Sequence, residues 1–216
     1  SGITGTISSS NSLLGSVNSD RVGNPGIVVL TNGNYVVRTS NWDNGAITNV
    51  GAITWCDGTL GLSGLVSSSN SLVGATSSDQ IGSSGVLALT NGNYVISSSN
   101  FDNGSLVNAG AVTWCDGSTG RTGVVNSSNS LVGGITSDAV GTVIAQNSGN
   151  YIVNSSYWDN GTLVNAGAVT FGNGLAGVTG LINSCNSILG TVAPAATSVV
   201  YNPVYGYSLV GRFREN

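Results

Sequence analysis

The strongest constraint on this chain is that one phrase is repeated along it. Ser-Asn-Ser-Leu-Val-Gly stands at Ser69–Gly74 and Ser128–Gly133, and near copies stand at Ser10–Gly15 and Cys185–Gly190. From Asn11 to Asn70 and from Asn70 to Asn129 the step is 59 residues, and from Asn129 to Asn186 it is 57. A fixed long period means that each repeat is one supersecondary unit, burying its apolar surface against its neighbours in a solenoid, propeller or array.

Three further landmarks keep step with the first. Thr31-Asn-Gly-Asn-Tyr35 recurs at Thr90–Tyr94 and, as Ser-Gly-Asn-Tyr, at Ser148–Tyr151, with Tyr207 in a worn fourth copy. An aromatic-Asp-Asn-Gly turn stands at Trp42, Phe101 and Trp158, with Phe213-Arg-Glu-Asn as its fourth counterpart. Gly-Ala-(Val/Ile)-Thr-aromatic stands at Gly51–Trp55, Gly110–Trp114 and Gly167–Phe171.

Asn-Gly between two apolar runs signals a β-hairpin, because both residues accept the positive φ that matches strand twist. In the second repeat the spacing predicts strands at Gly85–Thr90, Tyr94–Ser99 and Gly110–Trp114. A fourth is predicted at Gly123–Asn126, continuing after a break to Leu131–Gly133. No window carries a sustained 3.6-residue apolar period, so no helix is expected.

The units fall at about 24–74, 83–133 and 141–190, with 198–216 plus 1–15 as the fourth, making one repeat domain over 1–216. Four antiparallel strands per unit with aromatic and glycine marks is the pattern of a β-propeller blade. The expected fold is therefore an all-β, propeller-like array in which the N-terminal strand, Ile3–Gly15, completes the last unit. The alternative is a β-solenoid, although a parallel coil has no place for an antiparallel two-residue turn.

Composition excludes several function classes. The net charge is −4, with no lysine and no histidine, which argues against nucleic acid as a partner. Charged residues are 6% and apolar residues 40% of the chain, so it is too apolar to be disordered, and its surface polarity comes from Ser, Thr, Asn and Gly. No apolar run reaches the roughly 18 to 20 residues of a membrane helix. The start at Ser1 without methionine reads as a processed or excised piece of a longer protein. Cys56 and Cys115 hold equivalent repeat positions, one repeat spacing apart, and with Cys185 they are expected as unpaired thiols.

The consensus Asn-Gly-Asn-Tyr-Val-Val, Trp-Asp-Asn-Gly, Asn-Ala-Gly-Ala-Val-Thr-Trp and Ser-Asn-Ser-Leu-Val-Gly resembles a tandem repeat of large secreted or surface-exposed bacterial proteins. That resemblance covers nearly the whole chain and implies a secreted or cell-surface location. The motif order Leu-x-Asn-Gly-Asn-Tyr-Val-Val, then Gly-Ala-Val, is also similar to the FG-GAP repeat of integrin-type propellers. Those blades often carry a calcium loop of alternating Asp and Asn, which this sequence lacks.

The candidate ligand-binding residues are Trp42, Asp43 and Asn44, Phe101, Asp102 and Asn103, and Trp158, Asp159 and Asn160. An aromatic face beside a carboxylate and an amide is chemistry that reads sugars, and several copies would add avidity. The competing reading packs the rings in the core and leaves Asp-Asn-Gly as the turn. Asp20, Asp79 and Asp138 are expected to cap local backbone N–H groups. Calcium is the sharper idea there, but each site offers one carboxylate, so no cofactor or metal is expected. Asp57 and Asp116 give way to Asn173 in the third copy, which suits a turn better than catalysis. Arg212 and Arg214 stand with Glu215 at the end of the chain.

Without histidine there is no triad or imidazole base, and no cysteine has a cationic neighbour to activate it. The expected function is a non-catalytic binding or adhesion module with a glycan partner. The alternative is a structural repeat protein that self-associates through its incomplete fourth unit.

Overall fold

The computed structural model describes residues 3–192 and 197–212. These residues form eighteen strands and no helix. A short β1 (Leu13–Leu14) comes first. The first full set is β2 (Pro25–Val29), β3 (Tyr35–Thr39), β4 (Ala52–Cys56), β5 (Gly64–Leu65) and β6 (Ser71–Val73). The second is β7 (Gly85–Ala88), β8 (Tyr94–Ser98), β9 (Ala111–Cys115), β10 (Gly123–Val124) and β11 (Leu131–Val132). The third is β12 (Thr142–Ala145), β13 (Tyr151–Ser155), β14 (Ala168–Gly172), β15 (Gly180–Leu181) and β16 (Ser187–Leu189). A hairpin of β17 (Thr197–Asn202) and β18 (Tyr207–Arg212) closes the described chain.

Each full set builds a four-stranded antiparallel sheet, β2-β3-β4-β6, β7-β8-β9-β11 and β12-β13-β14-β16. The Asn-Gly turns make the hairpins as expected. Leu30 N–H donates to Asn34 O at 2.8 Å, Gly33 N–H donates to Leu30 O at 3.1 Å, and Gly33 takes φ +91°. Leu89 with Gly92 and Gln146 with Gly149 repeat this bonding.

The fourth expected strand is a correction. Gly123–Asn126 does not run on into Leu131–Gly133 within one sheet. β11 pairs with β9 of its own unit, whereas β10 crosses over and pairs in parallel with β6 of the preceding unit. β15 does the same to β11, and β5 to β1. Each unit thus adds a two-residue strand to the sheet before it, fixed by Val66 N–H to Leu14 O at 2.9 Å and Val125 N–H to Val73 O at 3.0 Å.

The N-terminal segment is a second correction. Of Ile3–Gly15 only Leu13–Leu14 is a strand, and it pairs with β5 rather than completing the last unit. β17 and β18 form their own two-stranded sheet. The fourth aromatic turn, Phe213 to Asn216 with Arg214 and Glu215, lies outside the described residues.

The sheets lie face to face, so apolar residues alternate between two interfaces. Tyr94 and Ile96 of β8 join Val36, Ile53 and Leu72 of the preceding repeat in one buried cluster. Val95, between them, joins Tyr151, Val153 and Ala168 of the following repeat in another. All five residues of β8 are buried. A strand covered on both faces reads as a continuous apolar run rather than an alternation. Inside each sheet a hydroxyl pair bridges neighbouring strands: Thr54 with Ser71 at 2.7 Å, Thr113 with Ser130 at 2.7 Å, and Thr170 with Ser187 at 2.6 Å. Among the described residues no helix is long and apolar enough to cross a membrane.

Candidate functional site

The three aromatic-Asp-Asn turns have one geometry. The turn folds back on itself, with Gly51 N–H donating to Trp42 O at 3.1 Å, Gly110 N–H to Phe101 O at 2.9 Å and Gly167 N–H to Trp158 O at 2.8 Å. Asp43 Oδ1 accepts Asn49 N–H at 2.7 Å, Asp102 Oδ1 accepts Asn108 N–H at 2.8 Å, and Asp159 Oδ1 accepts Asn165 N–H at 2.7 Å. The three asparagines so reached, Asn49, Asn108 and Asn165, sit at φ +52° to +54°, a left-handed conformation that asparagine tolerates better than most residues.

A second carboxylate anchors each turn. Asp20 Oδ1 accepts Asp43 N–H, Asp79 Oδ1 accepts Asp102 N–H and Asp138 Oδ1 accepts Asp159 N–H, each at 2.9 Å. The other oxygen gathers two local amides: Ser16 and Val17 on Asp20, Ala75 and Thr76 on Asp79, Gly134 and Ile135 on Asp138. All three carboxylates are buried, and backbone N–H groups replace the water they lose. Burial pushes the Asp138 pKa above the ordinary carboxylate value, against the pull of the Asp159, Ile135 and Gly134 N–H groups. Among the described residues no group of three or more His, Cys, Asp or Glu side chains could hold a metal ion.

This geometry corrects the stacking role expected of Trp42, Phe101 and Trp158. Their exposures are 3%, 3% and 6%, so no ring face is open to a sugar. Phe101 packs in the cluster between the first and second sheets, and Trp158 in the cluster between the second and third. Trp42 packs against Val50, Val66 and Val73. Asp43, Asp102 and Asp159 serve the turn. Asn103 Nδ2 donates to Gly133 O at 3.1 Å and Asn160 Nδ2 to Gly190 O at 2.9 Å, while Asn44 N–H donates to Ile47 O at 2.9 Å.

A set of convergent polar contacts between repeats lies elsewhere. Asn32 Nδ2, Asn34 Nδ2 and Trp55 Nε1 all donate to the carbonyl of Gly117 in the next repeat, at 2.8, 2.9 and 2.9 Å. Asn91, Asn93 and Trp114 converge in the same way on Gly174, at 2.8, 2.8 and 3.0 Å. Glycine stands at both acceptors because a Cβ there would lie 1.7 Å from Gly92 O or 1.8 Å from Gly149 O. In the third repeat Ser148 replaces the first asparagine and Phe171 replaces the tryptophan, and Phe171 is 53% exposed. The two donors are lost together where the following unit has no described strand to offer the acceptor. That joint substitution is the signal by which the clamp could have been found in the sequence.

One groove lies between the second and third sheets. Its volume is about 530 Å³. Val86, Val95 and Val143 supply apolar lining, and Ser84, Ser99, Thr142, Asn154, Ser156 and Tyr157 supply polar groups.

Cys56 and Cys115 are buried free thiols, and Cys185 is an exposed one. Burial pushes the Cys56 thiol up to about 11 and the Cys115 thiol up to about 12, which removes thiolate reactivity near neutral pH.

No curated protein matches the chain. Four successive segments, 1–24, 29–83, 88–142 and 145–198, match the family described as Repeat of unknown function (DUF5650). The matched segments span most of the chain, which belongs to that repeat family.

Proposed function

We propose that the chain is a non-catalytic structural repeat array, an open, solenoid-like stack of antiparallel sheets rather than a closed propeller, built as a scaffold of secreted or cell-surface type. The observation that carries this reading is the forward clamp: three donors of one repeat on Gly117, and three of the next on Gly174. Both clamps point forward along the chain, and the crossover strands each reach back to the preceding unit. Such contacts make stability a sum over repeats and nearest-neighbour interfaces. The secreted or surface location rests on the resemblance of the repeat to those of large secreted or surface-exposed bacterial proteins.

Inserting a second copy of residues 83–141 after Gly141 tests the stack. The extended chain is expected to unfold at a higher denaturant concentration and to show a larger maximum dimension in X-ray scattering. A lower midpoint, or an unchanged dimension, would contradict an open array.

Self-association through the incomplete fourth unit is the second reading. β6 and β11 each receive a strand on their outer side, whereas β16 receives none among the described residues. Light scattering decides it: a mass that rises with concentration supports the reading, and a constant monomer mass removes it.

A further inference from the structure

The groove between the second and third sheets departs from the repeat rule in three places. Arg38 of β3 reaches across to the next repeat, its guanidinium donating to Gly82 O at 2.9 and 3.2 Å and to Ser83 O at 3.1 Å. The equivalent residue on β8 is Ser97, whose short hydroxyl reaches only Gly141 O. The third repeat also lacks counterparts of Ser83 and Ser84 between Gly141 and Thr142, which accounts for its 57-residue step. Finally, Tyr157 stands where the other repeats have Asn41 and Asn100, and it is 61% exposed. A long cation is removed, a loop is shortened, and an aromatic ring is added at the same interface.

The lining has an unusual balance. It includes no Asp, Glu, Arg or Lys side chain, so it offers no counter-charge to an ionic ligand. Ser84 and Ser99 hydroxyls already form one linked pair at 2.7 Å, and each oxygen retains further hydrogen-bonding capacity. Thr142 and Ser156 add hydroxyls, and Asn154 adds an amide. Around them lie Val86, Val95 and Val143, with the Tyr157 ring. A mostly apolar concavity of this volume with a few convergent polar groups is the usual form of a small-ligand site.

We propose that this groove binds a neutral saccharide, its hydroxyls exchanging hydrogen bonds with the serine, threonine and asparagine groups and one C–H face lying on the Tyr157 ring. The site is distinct from the buried aromatic turns. It rests on the sheet-on-sheet stack, since its two walls belong to different repeats.

The test is ¹H–¹⁵N NMR titration of the chain with cellotriose, maltotriose and triacetylchitotriose, each to millimolar concentration. At least one trisaccharide is expected to shift the amides of residues 84–87, 97–99, 141–143 and 156–157 in a saturable manner. Ser97→Arg installs the first repeat's residue in the groove and is expected to weaken binding by at least about tenfold, a loss of roughly 1.4 kcal/mol. An otherwise unchanged spectrum of that variant separates loss of the site from loss of the stack. Should Ser97→Arg lose the native spectrum, Tyr157→Asn, which carries the other repeats' residue, decides the question by the same tenfold criterion. No shift with any of the three sugars, or shifts that persist undiminished in the natively folded variant, overturns the proposal.

Discussion

Matched glycines in successive repeats isolate the energy of the interface between units. Gly61 and Gly120 occupy the same turn, with φ +71° and +73°, and each donates its N–H to an aspartate carbonyl, Asp57 O at 2.9 Å or Asp116 O at 2.8 Å. Alanine at either position incurs the left-handed backbone cost of about 1–2 kcal/mol. Their surroundings differ. A Cβ at Gly61 would meet nothing nearer than the Tyr35 hydroxyl at 3.6 Å, whereas one at Gly120 would lie 2.5 Å from Trp55 Cβ and 2.8 Å from Trp55 Cγ. Trp55 cannot simply swing away, because its Nε1 is tied to Gly117 O and its backbone lies in β4. Overpacking of this kind costs about 1–3 kcal/mol. Gly61→Ala is therefore expected to destabilise by about 1–2 kcal/mol and Gly120→Ala by about 2–5 kcal/mol, the difference being the interface term. Gly177, whose Cβ would lie 2.7 Å from Trp114 Cβ, should behave like Gly120. Urea titrations followed by circular dichroism measure the differences, and in a Trp55→Gly background, which removes the Cβ as well as the ring, the excess at Gly120 should vanish. Equal losses at Gly61 and Gly120 would refute the packing of Trp55 against the next repeat.

Phe101→Ala should destabilise by about 3–5 kcal/mol, the usual cost of emptying a buried aromatic site, which a thermal melt will register as a large drop in midpoint. Asp79→Ala leaves the N–H groups of Ala75, Thr76 and Asp102 without their acceptor and should lose about 3 kcal/mol or more in denaturant titration, whereas Asp57→Ala, at a half-buried residue whose carboxylate accepts only from the exposed turn at Thr59 and Leu60, should stay within about 1 kcal/mol. Under native conditions near neutral pH a thiol reagent should modify Cys185 alone, with Cys56 and Cys115 appearing only in denaturant; rapid native labelling of all three would contradict their burial. Because burial raises both thiol pKa values, to about 11 and about 12, the unfolded chain loses these protons first. Their contribution to stability is thus fully present below the unfolded thiol value and is lost as pH rises through that of the folded state, a decline that alkaline urea titrations will show and that Cys56→Ser with Cys115→Ser should blunt.

Local chemistry wrote much of the architecture into the sequence. The Asn-Gly turns fixed the hairpins at Leu30–Asn34 and Leu89–Asn93, and the apolar runs placed β7, β8 and β9 to within two residues of their observed ends. The crossover strands were not legible in the same way. β10 is only Gly123–Val124, and its partner, Leu72–Val73, lies in a different repeat, so neither hydrophobic period nor turn chemistry marks the pairing. The aromatic turns show the opposite limit. Trp42, Phe101 and Trp158 have the residue types of a sugar platform, and only burial distinguishes that role from packing. The acceptors of the clamp, Gly117 O and Gly174 O, are backbone atoms with no side-chain signature. Their trace is indirect, in glycines that cannot carry a Cβ and in the paired change to Ser148 and Phe171. The groove left a comparable trace, Ser97 for arginine and Tyr157 for asparagine, visible once the repeats are aligned and the sheets are known to face one another.

Whether the array is open or closed turns on where the first strand pairs. Cross-strand nuclear Overhauser effects in the isotopically labelled chain read this directly. The open stack predicts contacts between residues 13–14 and 64–65, in parallel register, and none between 13–14 and the hairpin at 207–212. Contacts joining 13–14 to 207–212, in place of those to 64–65, would mean that the first strand closes a ring with the last unit, and the stacked-array account would be wrong.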